Sequence, residues 1–105
     1  MTTKNYSDYF FNTCLDLTQQ NLELYGNRAA LNREYLGALV WASVDYIEME
    51  GIDLQETVAD ENLVATYAAF LFRDRGEGRE KGMPRHIRYM LNNRLLHQKM
   101  EIEDV

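Results

Sequence analysis

Leu36-Gly37-Ala38-Leu39-Val40-Trp41-Ala42-Ser43-Val44-Asp45-Tyr46-Ile47-Glu48-Met49-Glu50-Gly51-Ile52 decides the fold of this chain. Leu36, Leu39, Val40, Ser43, Val44 and Ile47 recur at the i, i+3, i+4, i+7 spacing that lines one face of an α-helix. Gly51 stands where a left-handed residue closes a helix, and Ile52 follows where an apolar side chain packs back on Ile47. Asn32 is the expected cap at the other end. Residues 53–59 then form a short connector.

The same period extends in both directions. Upstream, Ser7 is an expected N-cap and Asp8 suits the positive end of a helix dipole. Phe10, Cys14, Leu17 and Leu24 make one stripe of a helix over about 8–25, and Phe11, Leu15, Leu22 and Tyr25 make a second. Gly26-Asn27 is its expected stop. Downstream, Asp60 is the expected cap of a third helix, with Leu63, Val64, Tyr67, Ala68 and Leu71 as its stripe. Ala65, Ala68 and Ala69 are small enough for close helix approach. The glycine-rich, densely charged run Arg73–Gly82 breaks that helix, and a mobile loop over about 76–82 is expected. Met83-Pro84 opens a fourth helix, since Pro suits the first helical position, and Ile87, Met90, Leu91 and Leu95 are its apolar residues. The reading is all-α: a compact bundle of four main helices in one domain over 1–105, with frayed ends at about 1–6 and 101–105.

Composition narrows function by exclusion. The chain has 105 residues, 46% apolar and 27% charged, with seven Tyr, four Phe and one Trp. That is enough bulky apolar mass for a core. One Cys excludes an intramolecular disulfide framework and a cysteine-clustered metal site. No apolar run approaches the roughly 18 residues of a membrane span, and the first residues lack a signal-peptide pattern. An intracellular protein with no membrane contact is expected.

No constellation of catalytic residues emerges. His86 and His97 are eleven residues apart on one helix, about 16 Å, too far to share an ion, and read as surface histidines. Cys14 sits among Phe10, Phe11 and Leu17, where a buried thiol is inert. Asp45, Glu48, Glu56, Asp60 and Glu61 raise the option of a magnesium-dependent pyrophosphohydrolase. The second half of that cluster lies in a connector and a helix start, so a solvated acidic face is the reading. The Gly76–Gly82 loop follows a helix and lacks P-loop spacing. No cofactor is expected.

Charge is distributed unevenly. The net charge is −6. Residues 73–99 hold eight of the eleven Lys and Arg and three of the seventeen acids, a balance of +5, leaving −11 elsewhere. No acid occurs between Gly82 and Met100. Two readings stand: a basic face balancing the protein's own acidic helices, or a contact surface for another molecule. Arg73, Arg75, Arg79, Lys81, Arg85, Arg88, Arg94 and Lys99 are the candidate interaction residues. Asn92 and Asn93, poor helix formers in mid-helix, are candidates for polar contacts or for solvent.

The order of the segments resembles a known family. Asp45-Tyr46-Ile47-Glu48-Met49-Glu50-Gly51-Ile52 is followed by Leu63-Val64-Ala65-Thr66-Tyr67-Ala68-Ala69-Phe70-Leu71-Phe72-Arg73-Asp74-Arg75. Then come Met83-Pro84-Arg85-His86-Ile87-Arg88 and Leu91-Asn92-Asn93-Arg94-Leu95. Over about Tyr35–Met100 this resembles the small helical head–tail connector (adaptor) proteins of tailed phages. The segment before Gly26 is longer and more aromatic than the family pattern, and the Arg79–Lys81 loop is shorter. The resemblance implies a structural virion protein without an active site. It would assemble as a ring that joins portal to tail in the neck of the virion, after synthesis in the host cytoplasm. Its implied partners are copies of itself, the portal and tail-side proteins, with DNA in passing contact. The alternative of another class is a small acidic regulatory or inhibitor protein that binds a protein partner.

Overall fold

The computed structural model describes residues 5–74 and 82–103. Four helices follow in order: α1 (Asp8–Asn21), α2 (Gly26–Met49), α3 (Val58–Arg73) and α4 (Arg85–Glu103). No strand occurs among the described residues, and the all-α bundle read from the sequence is the observed fold. Residues 75–81, where most of the charged loop was placed, lie outside the described residues, as do 1–4 and 104–105.

Local chemistry sets several boundaries as expected. The Ser7 hydroxyl accepts from the Phe10 amide at 3.0 Å and caps α1. Gly51 is left-handed (φ +95°), its amide donates to the Glu48 carbonyl at 2.9 Å, and Ile52 is buried in the same core cluster as Ile47. Other boundaries move. α1 stops at Asn21, four residues early, because Glu23 turns to φ +56° and Leu24 drops into the core while Tyr25 stays exposed. Gly26 opens α2 instead of ending α1. Asn32 is no cap: its side-chain amide donates to the Arg28 carbonyl one turn back, inside a helix that Arg28-Ala29-Ala30-Leu31 carries with good propensity. At α3, Thr57 takes the capping role expected of Asp60, its hydroxyl accepting from the Asp60 amide at 3.2 Å. Pro84 stands one residue before α4, its carbonyl accepting from the Ile87 and Arg88 amides.

α3 is the central helix. It packs broadly on α1 and α2, where the buried Ala65, Ala68 and Ala69 permit close approach, and more lightly on α4. Phe10, Cys14, Leu15, Leu36, Val40, Val44, Ile47, Leu63, Val64 and Tyr67 form the core, with Ile87 and Leu91 as the contribution of α4. The radius of gyration is 14.0 Å, above the roughly 13 Å usual for a chain of this size.

Candidate interaction surfaces

Beside its apolar anchors Ile87 and Leu91, α4 is held by a polar network. The Arg94 guanidinium grips Asp60 with two bonds, Nε to Oδ1 at 2.7 Å and Nη2 to Oδ2 at 3.1 Å. Nη2 also donates to the Asp53 carbonyl at 2.9 Å, and Nη1 reaches Gln98 Oε1 at 3.3 Å. One turn on, Gln98 accepts from the Asp53 amide at 2.7 Å and donates to the Gly51 carbonyl at 3.0 Å. Asp60 Oδ2 further accepts from the Gln55 amide at 2.6 Å. Only 2% of the Asp60 side chain is exposed. Its hydrogen bond raises the Arg94 pKa above the ordinary value, against the effect of burial. The geometry is a charge-assisted fork that ties the 52–57 connector and the first turn of α3 to the middle of α4.

The candidate basic residues therefore divide. Arg94 is committed inside the chain. Arg88 Nη1 meets Glu50 Oε1 at 2.8 Å just past the end of α2, and this pairing raises its pKa. Arg73 donates to the Asn21 carbonyl at 2.8 Å and to its Oδ1 at 3.2 Å, a cation placed at the negative end of α1. Arg85 and Lys99 are exposed and carry no ion pair among the described residues. Arg75, Arg79 and Lys81 lie outside the described residues. Asn92 and Asn93 face solvent.

The acids are not one solvated face. Asp60 and Glu61 are buried. Glu48 accepts from the Tyr6 hydroxyl at 2.6 Å, and Tyr6 stacks on Phe10 at 5.1 Å. Glu56 receives the Ser7 amide at 3.0 Å and the Ser7 hydroxyl. These bonds clasp the start of α1 to the end of α2 and to the connector. Among the described residues, no group of three or more His, Cys, Asp or Glu is placed to hold a metal ion. His86 and His97 are exposed, His97 near Glu101 at 3.0 Å.

Cys14 is fully buried, and burial with the nearby charges of Glu61, Asp60 and Glu56 pushes its thiol up to about 12. Thiolate is the reacting species. Native protein at pH 8 is therefore expected to resist iodoacetamide, whereas unfolded chain labels fully; labelling followed by mass spectrometry checks both.

Two helix faces carry exposed apolar side chains away from the core. On α2, opposite the buried stripe, Leu31, Tyr35, Ala38, Ala42, Asp45 and Met49 recur at alternating steps of four and three, Leu31 being 84% and Met49 80% exposed. Half-exposed rings flank this line: Trp41 stacks on Phe11 of α1, Tyr35 meets Phe72 and Tyr46 stacks on Tyr67 of α3. On α4, Tyr89, Asn93, Leu96 and Met100 repeat the four-three-four spacing, all exposed. Sequence reasoning named the basic residues around these faces and missed the apolar ones. The signal was present, since Leu31, Tyr35 and Met49 fall off the core stripe of α2 and a helix with two apolar faces needs two partners. A cleft of about 560 Å³ also opens where α1 ends and α4 begins, lined by Thr66, Phe70, Arg73, Asp74, His86 and Met90.

No helix among the described residues is long and apolar enough to cross a membrane. No protein-family model, curated protein or solved structure matches this chain.

Proposed function

We propose that this chain is a structural subunit: a head–tail connector of a tailed phage that assembles as a ring between the portal and the tail. The observation that carries the reading is the order and spacing of the three motifs across Asp45–Ile52, Leu63–Arg75 and Met83–Leu95. Their apolar members are core residues of this fold: Ile47, Ile52, Leu63, Val64, Tyr67, Ala68, Ile87, Leu91. A ring of identical subunits requires a heterologous contact, one face meeting a different face of the next copy. A chain with an acidic body and a basic C-terminal helix suits that requirement. In this reading the protein acts in the virion neck, meets the portal and tail-side proteins, and touches DNA only in passing.

Sedimentation velocity over a concentration series, with negative-stain microscopy of the largest species, tests the proposal. A concentration-dependent step from monomer to an annular particle is expected. Strictly monomeric protein at its highest soluble concentration overturns the ring.

A further inference from the structure

We propose that the outer face of α4 docks an acidic amphipathic helix of another protein, a contact that does not depend on the ring. The inner side of α4 is engaged within the chain. Ile87 and Leu91 enter the core, Arg88 pairs with Glu50, and Arg94 and Gln98 bond the 51–60 region. The outer side is not engaged. Tyr89 is 68%, Leu96 57% and Met100 52% exposed, on one line with Asn93. Among the described residues, the side chains of Arg85, Tyr89, Asn93 and Lys99 make no hydrogen bond, ion pair or ring contact.

The free charges of this face select its occupant. Arg88 and Arg94 are already paired and His97 meets Glu101, which leaves Arg85 and Lys99. At about 100° of turn per residue both cations fall on one edge of the apolar line, and at about 1.5 Å of rise they stand about 21 Å apart. No acid lies between Gly82 and Met100, and Glu101 falls on the opposite edge, beside His97. An apolar strip with a cation toward each end of one edge complements a helix with apolar residues at four and three spacing and acids along one edge. The helices of this chain do not supply such a surface. A second α4 brings no acid over residues 85–100. On α2, Glu48 is held by Tyr6 and Tyr35 meets Phe72. On α1 the outward Asn12, Asp16 and Gln20 are polar, and Asp16 meets Arg33. Duplex DNA matches less well, because two cations reach few phosphates and the surface between them is mostly apolar.

Nuclear magnetic resonance of the ¹⁵N-labelled full chain, at a concentration where it does not self-associate, tests the proposal. Three probes are titrated: a synthetic amphipathic peptide of about 18 residues, five turns of helix, with Leu on one face and Glu along its edges; the same peptide with Lys in place of Glu; and a short DNA duplex. The Glu peptide is expected to shift the α4 amides over 85–100 saturably, and the other two probes to leave them in place. The double variants Arg85→Glu/Lys99→Glu and Leu96→Ser/Met100→Ser alter exposed positions, so circular dichroism and Tm should match the parent. Each is expected to bind the Glu peptide at least about tenfold more weakly, the loss of one good anchor. Absence of a saturable shift on α4 overturns the proposal, and so does equal binding of the Lys peptide. Tighter binding of the duplex assigns the face to nucleic acid instead. Shifts of the same amides on concentrating the chain alone assign it to a second copy. None of these outcomes bears on the ring, which sedimentation tests separately.

Discussion

Arg94→Met is expected to cost about 3–5 kcal/mol of folding stability, the penalty for stranding one charge of a buried pair. A domain of this size is stable by only about 5–15 kcal/mol, so the variant is expected to lose more than about 12 °C in Tm. The reason lies with Asp60, whose carboxylate is 2% exposed and has Arg94 as its charge partner. Without the guanidinium, Asp60 keeps the Gln55 amide as a donor but loses its compensating charge. The Asp53 carbonyl loses a donor at the same time. Removing both charges should cost less. The double variant Asp60→Leu/Arg94→Met is expected to recover part of the lost stability, since a buried ion pair often does little better than apolar residues of similar volume. Arg88→Ala, which breaks the half-exposed pair with Glu50, is the control and should stay within about 1 kcal/mol. Chemical denaturation of the four proteins checks the ranking. Equal losses for Arg88→Ala and Arg94→Met would show that α4 is not held by this lock.

The contrast between Arg88 and Arg94 marks the limit of sequence reading here. Gly51-Ile52, the Ser7 cap and the Val40-Val44-Ile47 stripe were legible because their partners lie within a few residues: the helix period and the chirality of the backbone decide them. Asn32 and Asp60 were misread for a related reason. Each is a capable cap, but a side chain that caps in one context can bond a carbonyl one turn back or turn toward a cation in another. Asp60 is claimed by an arginine 34 positions away, and no local rule carries that information. The eight basic residues looked alike in a row of charges. Packing sorts them, engaging Arg73, Arg88 and Arg94 within the chain and leaving Arg85 and Lys99 to solvent. The polarity of −11 against +5 remains a property of the chain. What faces outward from the basic helix, however, is as much Tyr89, Leu96 and Met100 as it is charge.

Leu54→Ala is expected to destabilise the fold by about 2–5 kcal/mol, the range for emptying a fully buried leucine site. The connector that carries it was read only as a link, because Ile52-Asp53-Leu54-Gln55 is too short to display a period. In the structure it alternates buried and exposed: Ile52 and Leu54 enter the core, and Asp53 and Gln55 face out. Arg94 at the Asp53 carbonyl, Gln98 at the Asp53 amide and Asp60 at the Gln55 amide hold its backbone. Leu54 is thus the apolar pin beneath the polar lock, and the two are expected to fail together. Hydrogen exchange should show the Asp53 and Gln55 amides losing protection in Leu54→Ala, while Val58→Ala, at an exposed site on the neighbouring helix, leaves them unchanged. The consequence reaches assembly. The joint fixes how α2, α3 and α4 sit together, and in the ring proposed above a heterologous contact closes only when the rotation per subunit is fixed. In that proposed ring, Leu54→Ala is therefore expected, below its lowered Tm, to populate a wider spread of open oligomers than the parent. Sedimentation of the two proteins at equal concentration reads that spread, and an unchanged distribution alongside a lowered Tm would separate the joint's role in stability from any role in closure.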